Sequence, residues 1–419
     1  MDCQNCVEAC AQQVDFLEVK EGEDFLNINP SKYRDCIYCG QCIMHCPVGA
    51  FEGVGEFEEI DKILLSRNKH VVVQFAPSIR VSIGEEFGMG YGKIVTGQLV
   101  AGIRKLGIEK VFDVSVGADL TTMEEAEELK ERMTNKGILP MITSCCPGWV
   151  KYVEYYRPDL IPNLTTVRSP QTLMGGLIKT YWAEKNGIDP KDIIVISIMP
   201  CTAKKYEITK EELLIDGIKP VDYVLTTREL AYAMKKKGIN LSNLKPEKAN
   251  VPLGDPSGAG VIYGAAGGVM ESALRTAYFK ITGKNLKKVD FEIVRGIQRC
   301  KTASIKIGEN KINIAAVSGI KNTECLLKNM EDYHYIEVMA CPGGCISGGG
   351  QPIPTTNEIR KMRIKAIYGV DKKKKTRTAH ENAEIKELYN TFLKDNKNIH
   401  KICHTMFSKK KRTGAKKLK

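Results

Sequence analysis

The chain has 419 residues, 43% hydrophobic and 27% charged, which suits two or three folded domains and excludes a disordered or fibrous polymer. Of its net charge of +12, seven positives lie in the last eleven residues (Lys409, Lys410, Lys411, Arg412, Lys416, Lys417, Lys419); without them the charge falls to +5, which excludes a broadly basic nucleic-acid face. No apolar run is long enough to span a bilayer, and Met1-Asp2-Cys3 does not open a secretory leader.

Residues 1 to about 55 are dense in cysteine. Cys36-x2-Cys39-x2-Cys42-x3-Cys46-Pro47 has the spacing that wraps three thiolates around one corner of a [4Fe–4S] cubane and sends the fourth to a second cluster. A structural zinc site is the bland alternative. Upstream, Cys3-x2-Cys6-x3-Cys10 matches the last three cysteines of the same pattern. By the crossing rule, Cys10, Cys36, Cys39 and Cys42 share one cluster, and Cys3, Cys6 and Cys46 share the other with one iron unclaimed. A truncated start, a start assigned too late, or a three-thiolate cluster would each explain the gap, and truncation is the preferred reading. His45 is read as a packing or solvent residue able to tune its neighbouring cluster.

The remainder alternates strand and helix patterns. Strands are predicted at 71–76, 111–114, 138–142, 193–198, 314–317 and 335–339. Helices are predicted at 96–106 and, rich in Glu, at 121–136. Apolar strands alternating with helices predict parallel sheets covered on both faces, with ligands beyond the carboxyl ends of the strands. Three cysteine loops fall at such ends: Cys145 and Cys146, then Cys201, then Cys341 and Cys345. The glycine-rich stretch 257–268 leads into a helix near Val269. Its spacing is not that of a dinucleotide loop, and close backbone packing around a cofactor explains it better.

Four thiolates complete a cubane, and five are offered. Neighbouring side chains of an extended segment point to opposite faces, so Cys145 and Cys146 do not both reach one iron, and one is left as a free thiol able to pass protons. Glu125 and Glu128 share a helix face, with Arg132 four residues beyond Glu128. Read by itself, this is an ordinary solvated face. Cys300, Cys325 and Cys403 match no ligand spacing and are read as reduced core or surface residues.

Three segments then carry a resemblance: Thr143-Ser-Cys-Cys-Pro-Gly-Trp149, Met199-Pro-Cys-Thr-Ala-Lys-Lys-Tyr-Glu207, and Glu337-Val-Met-Ala-Cys-Pro-Gly-Gly-Cys345 with Gly348-Gly-Gly-Gln-Pro352. In this order they resemble the signatures of the [FeFe]-hydrogenases. The likeness runs from the cysteine-rich start past His380-Glu-Asn382. It implies an α/β catalytic domain with parallel sheets in two lobes around an H-cluster, preceded by a small α+β ferredoxin-like two-cluster domain. The expected boundaries are 1–55, 56–407 with lobes of about 56–205 and 206–407, and a basic disordered tail from 408 to 419.

The same resemblance implies site residues. Cys146, Cys201, Cys341 and Cys345 are the expected ligands of the H-cluster cubane, with Cys345 bridging to a diiron unit that carries CO, cyanide and an amine dithiolate. Cys3, Cys6, Cys10, Cys36, Cys39, Cys42 and Cys46 serve one to two N-terminal clusters. Lys204 is expected on one cyanide and Pro77 and Ser78 on the other. Met199, Met339, Pro170 and Gln171 line the pocket. A proton path is expected from Cys145 through Glu125, Thr165 and Glu128 to Arg132. Thr165 stands where serine is commoner, and Tyr263 and Ala266 where Phe and Thr are more typical.

The expected reaction is reversible formation of dihydrogen from protons, with low-potential ferredoxin as electron partner and separate maturation enzymes for the diiron unit. The expected location is a low-oxygen cytoplasm, or an organelle of an anaerobic eukaryote. Competing readings are an iron–sulfur assembly factor of the same fold, a sensory hydrogenase and a pure electron carrier. Intact Cys145, Lys204, Glu125 and Glu128 argue against the first, the absence of an added signalling module against the second, and the chain's length against the third.

Overall fold

Strand β1 (His70–Phe75, HVVVQF) and strand β4 (Ile193–Met199, IIVISIM) are nearly continuous apolar runs, buried on both faces. Such runs need a layer on each side, and parallel sheets supply it. A computed structural model, describing residues 3–14, 36–50, 53 and 55–412, shows this arrangement. With β2 (Lys110–Asp113) and β5 (Tyr223–Thr226), they form a four-stranded sheet of order β2-β1-β4-β5, every pairing parallel. A second sheet has the order β3-β8-β7-β6, from Met141–Ile142, Tyr335–Met339, Asn310–Ser318 and Cys300–Ile307. Its β3-β8 and β7-β8 pairs are parallel, while β6 and β7 run antiparallel.

Three expectations need correction. The two sheets do not divide the chain near residue 205: β3 at 141–142 belongs to the second sheet and β5 at 223–226 to the first. The second sheet is not wholly parallel. Its edge strand β6 alternates buried and exposed positions and joins β7 through Gly308-Glu309, a hairpin with one wet face. The strand expected over 138–142 shortens to its last two residues, because Pro140 has no N–H to give a ladder.

The long helix expected from 121 begins seven residues earlier, spanning Val114–Thr134. Its first two turns are buried on every side, so they show no amphipathic period. Asp113 caps it, its carboxylate accepting the Ser115 N–H at 3.0 Å. At Gly117 a Cβ would meet Pro170 O at 2.8 Å, so only glycine lets helix Pro170–Leu177 lie this close.

The basic tail also needs correction in its first part. Lys410 donates its N–H to Glu154 O at 3.0 Å, and the Arg412 guanidinium stacks 4.3 Å from the Tyr156 ring centre. Residues 408–412 therefore lie against helix Pro147–Tyr156. Residues 413–419 fall outside the described set, as does most of the segment between Cys10 and Cys36.

Helix Gly268–Thr282 is tied to helix Asn357–Lys373 by Arg275, which is fully buried and donates to Glu271 at 2.7 Å and to Asp371 at 2.9 and 3.0 Å. Removing the cation takes one guanidinium from two buried carboxylates, leaving Glu271 to Arg295 and Asp371 to Arg377. Arg275→Met is therefore expected to lower unfolding free energy by about 1–3 kcal/mol, the cost of lost hydrogen bonds to charged groups that keep a second partner. The shift of the urea midpoint measures it; a loss within 0.5 kcal/mol or so, typical of surface substitutions, would show that this pair does not hold the two helices together.

Candidate active site

The carboxyl ends of β1, β3, β4 and β8 open onto one cavity with a volume of about 70 Å³. All five expected thiols line it: Cys145, Cys146, Cys201, Cys341 and Cys345. So do Pro77, Ser78, Pro170, Gln171, Met199, Lys204 and Met339. Residues as far apart in sequence as Pro77 and Cys345 meet here because each loop leaves a strand at the same edge.

Local hydrogen bonds fix the cysteine loops. Thr143 Oγ1 accepts the Val338 N–H at 3.1 Å, and Ser144 Oγ donates to Val167 O at 2.8 Å. Cys146 stands at the N-terminus of helix Pro147–Tyr156, where its sulfur also accepts the Ala340 N–H at 3.4 Å. Gly344 (φ +91°) lets the third loop turn, and a Cβ there would lie 2.4 Å from Ala266 N. Gln351, buried below, donates to Cys345 O at 3.2 Å and accepts from Ser82 and Thr227 hydroxyls at 2.7 and 2.8 Å.

Burial raises all five thiols above their ordinary range, Cys201 to about 12. For Cys146 the N–H groups of Ala340, Trp149 and Gly148 oppose that rise. Thiols crowded in a dry cavity stay protonated until a metal takes the protons' place. Among the described residues, no three His, Cys, Asp or Glu close on a single ion. This donor set suits an iron–sulfur cluster, whose several irons each take one thiolate. The Ser78 hydroxyl and the Gln171 Oε1, both lining the cavity, are buried without hydrogen-bond partners. Such orphans fit a polar group held in the space.

Lys204 has a partner that sequence reasoning left without a role. Its ammonium donates to Glu207 at 2.8 and 3.1 Å and to Cys145 O at 3.2 Å. Burial alone would lower its pKa, but Glu207 outweighs that and raises it, so the ammonium persists. Ser169 and Gln171 also donate to Glu207 Oε2, at 3.0 and 2.9 Å. The i, i+3 spacing of Lys204 and Glu207 was the available signal.

Near the N-terminus, the thiols sort into two sets by their electrostatic neighbours. Cys36, Cys39 and Cys42 each sense Cys10, whereas Cys6 senses Cys46 and Cys3; Cys42 alone of the first three also senses Cys6. Cys39 also lies within electrostatic reach of Cys341 in the cavity. Gly40 (φ +69°) packs against Gly349, and the Thr202 hydroxyl donates to Tyr38 O at 2.6 Å, so this region docks on the cysteine loops themselves. His45 Nδ1 hydrogen-bonds Gln41 O at 2.8 Å.

On another side of the cavity, Cys145 has Glu125 as its largest electrostatic neighbour. Glu125 is fully buried. Its Oε2 accepts from the Tyr335 hydroxyl at 2.8 Å, while Oε1 has no partner. Burial pushes its carboxyl up to about 8. Thr165 Oγ1 donates to Glu128 Oε2 at 2.7 Å, and Arg132 Nε to Glu128 Oε1 at 3.0 Å. Tyr335 was read only as a strand residue. Tyr263 lines the cavity, but its hydroxyl bonds Thr122 Oγ1 at 2.8 Å, within a hydroxyl network that includes Ser272. Of the unassigned cysteines, Cys403 is buried, Cys325 exposed and Cys300 partly exposed, all as free thiols.

A family model described as iron only hydrogenase large subunit, C-terminal domain, matches residues 69–349. The chain belongs to the iron-only hydrogenase family. A model of the iron hydrogenase small subunit matches residues 357–410, and one of a 4Fe-4S dicluster domain residues 1–50. An NADP-reducing hydrogenase subunit of Solidesulfovibrio fructosivorans is 44% identical over 90% of this chain, which spans 66% of that relative's length. Iron hydrogenase 1 of Clostridium pasteurianum is 40% identical over 97% of this chain and 74% of its own. A solved [FeFe]-hydrogenase from Chlamydomonas reinhardtii superposes with a TM-score of 0.75 at 36% identity, covering 85% of this chain and 99% of that one. Cytosolic iron–sulfur assembly factors match at lower identity, 26% and 29% in two cases. The hydrogenase is thus an iron–sulfur oxidoreductase of hydrogen metabolism. No helix among the described residues is long and apolar enough to cross a membrane.

The buried Glu125 yields a pH prediction. Its folded pKa of about 8 stands above the ordinary 4.5, so the fold favours the protonated form. Stability from this group is complete below pH 4.5 and is lost as pH rises through 8. In cofactor-free protein, Glu125→Gln should match wild type at acid pH and exceed it in stability at alkaline pH. Chemical denaturation at both ends checks it; an equal stability difference at both would contradict the shifted carboxyl.

Proposed function

We propose that the hydrogenase interconverts two protons and two electrons with dihydrogen, reversibly, taking electrons from a low-potential ferredoxin. The observation that carries this reading is the single cavity where four strand-end loops meet, five thiols among them and Cys145 beside a buried carboxyl. When bound, the H-cluster supplies the redox centre at which protons and electrons combine. Cys146, Cys201, Cys341 and Cys345 would hold it through their thiolates. Lys204 brings a lasting positive charge that suits an anionic ligand such as cyanide. Pro77 and Ser78 offer a backbone turn and a free hydroxyl on the opposing β1 loop, and Met199, Met339, Pro170 and Gln171 shape the walls.

Cys145 is the thiol left over. It holds a proton at the cavity wall and refills from Glu125, whose raised pKa keeps it close to neutral and able to give or take one. Thr165 and Glu128 continue the path outward, and Arg132 holds Glu128 in place. Electrons take a different side. Cys10, Cys36, Cys39 and Cys42 would bind the N-terminal cluster nearer the cavity, and Cys3, Cys6 and Cys46 the more distant one. Maturation enzymes would install the diiron unit, and a low-oxygen cytoplasm would protect it.

Hydrogen evolution with reduced viologen, after maturation, tests the reaction. Infrared bands of CO and cyanide should accompany it. A protein that loads cubanes only, shows neither band and evolves no hydrogen would be an assembly factor instead. Cys145→Ala, with unchanged iron content, is expected to lose about 10²–10⁴-fold in rate. Full activity in that variant would remove Cys145 from the path. Glu207→Gln should leave iron loading of the cubane intact yet weaken retention of the diiron unit, because Lys204 loses its fixed counter-charge; unchanged CO and cyanide bands would argue that Glu207 has no such role.

A further inference from the structure

The path just proposed ends on Arg132, and an arginine is a poor place for it to end. Its guanidinium donates to Glu128 and to the carbonyls of Ile138, Pro162, Asn163 and Leu164. It does not give up a proton at any pH the protein tolerates. Arg132 therefore orients Glu128 but cannot exchange protons with water on its behalf.

Glu128 has a second outlet. Its Oε2, which accepts from Thr165, also accepts from the Thr166 N–H at 3.1 Å and the Thr166 hydroxyl at 3.2 Å. Thr166 Oγ1 lies 2.8 Å from His404 Nδ1, and His404 Nε2 lies 3.1 Å from Glu124 Oε2. Tyr389 donates its hydroxyl to the other oxygen of Glu124. Thr166 is exposed, and the side chains of His404 and Glu124 are 21% and 11% exposed. The ring is not a chance contact. Val167 and His404 pair as an antiparallel bridge, the Thr405 N–H donates to Thr166 O at 2.8 Å, and Arg168 Nε donates to His404 O at 2.8 Å.

We infer that Thr166, His404 and Glu124 form the outer segment of the proton path, with His404 as the group that exchanges protons with solvent. The inference rests on the hydrogenase reading above. Outward, a proton on the Glu128 carboxyl moves to Thr166 Oγ1 as the hydroxyl's own proton moves to His404 Nδ1. The Nε2 proton then leaves to Glu124 or water. One proton is transferred, no other bond changes, and inward flow reverses each step. Imidazole suits this place, since it is the side chain whose charge changes near neutral pH. Facing it are Glu124 from the long helix, Glu128 through Thr166, and Tyr389 through Glu124. Arg168 and Cys403 flank it along the chain, the His400 ring centre lies 5.5 Å away, and Glu212 O accepts from the neighbouring Thr405.

Two measurements test the assignment. In matured enzyme under weak buffering, His404→Gln and Thr166→Val should each slow hydrogen evolution by roughly tenfold, the size of a lost proton-transfer group. Added imidazole should restore the rate of His404→Gln. Its pH profile should lose the inflection in the histidine range, while a His70→Gln control keeps it. Wild-type rate, pH profile and buffer independence in both variants would overturn the relay and leave the hydrogenase reading standing. In cofactor-free protein, NMR titration of His404 should shift its midpoint in Glu128→Gln and in Thr166→Val. An unmoved midpoint would also overturn the inference. A shifted midpoint would uphold the relay even if the matured chain evolved no hydrogen, the outcome that would sink the function instead.

Discussion

The cost of keeping thiolates out of water governs this structure. Five cysteines surround one dry cavity, and burial drives each of them toward the neutral thiol. On the proposed reading a cluster offsets that cost for four, because iron replaces the protons and spreads the charge, and the fifth keeps its proton. The desolvation that makes an empty cavity a poor anion host makes the loaded one a place where a single thiol stays protonated. The two sheets, one parallel and one mixed, serve this end: each delivers strand termini to a shared edge, so that short loops with little freedom carry the sulfurs.

Other buried charges follow the same logic, each matched before it is buried. Arg80 pairs with Asp113 at 2.8 Å and donates to Pro77 O at 2.9 Å, steadying the loop that carries Ser78. Glu337, at the centre of β8, accepts the N–H groups of Gly267 and Met270 at 2.6 and 2.7 Å, closing the glycine-rich segment over the cavity. Lys204 and Glu207 form a pair whose positive end faces the Cys145 loop. Breaking any of these pairs strands a charge in low dielectric, which costs far more than the pair contributes. They act less as sources of stability than as fixtures that hold charges at set places.

Much of this was legible in the sequence, and the exceptions have physical reasons. Strands β1, β4 and β8 were visible because wholly buried strands read as apolar runs, and the cysteine loops because thiols, glycine and proline stand together at their ends. The start of the long helix was hidden, since Val114 to Leu120 are buried all round and show no period. Strand β6 was missed because its inner face, which itself carries Lys301, alternates with exposed Thr302, Ser304 and Lys306 in a pattern too polar to stand out. Glu207 has only its i, i+3 spacing from Lys204 as a local signal, and Tyr335 and His404 have none. Their contacts are with partners 3, 210 and 238 residues away, and only the first of those distances can be seen without a fold.

Separation of protons from electrons is the last consequence of the cavity's shape. Cys341 senses Cys39 of the N-terminal set, and Cys145 senses Glu125; the two share Cys146 and Cys345 as neighbours but not these outer partners. Electrons tunnel between clusters and need only closeness, whereas protons need an unbroken line of groups that bind them neither too tightly nor too weakly. An arginine binds too tightly and an ordinary carboxylate too weakly. On the proposed path Glu125, lifted by burial to about 8, meets the need inside the protein. At the surface burial can no longer do the lifting, and the outlet needs a group that takes a proton at one atom and releases it from another, which the two ring nitrogens of an imidazole provide.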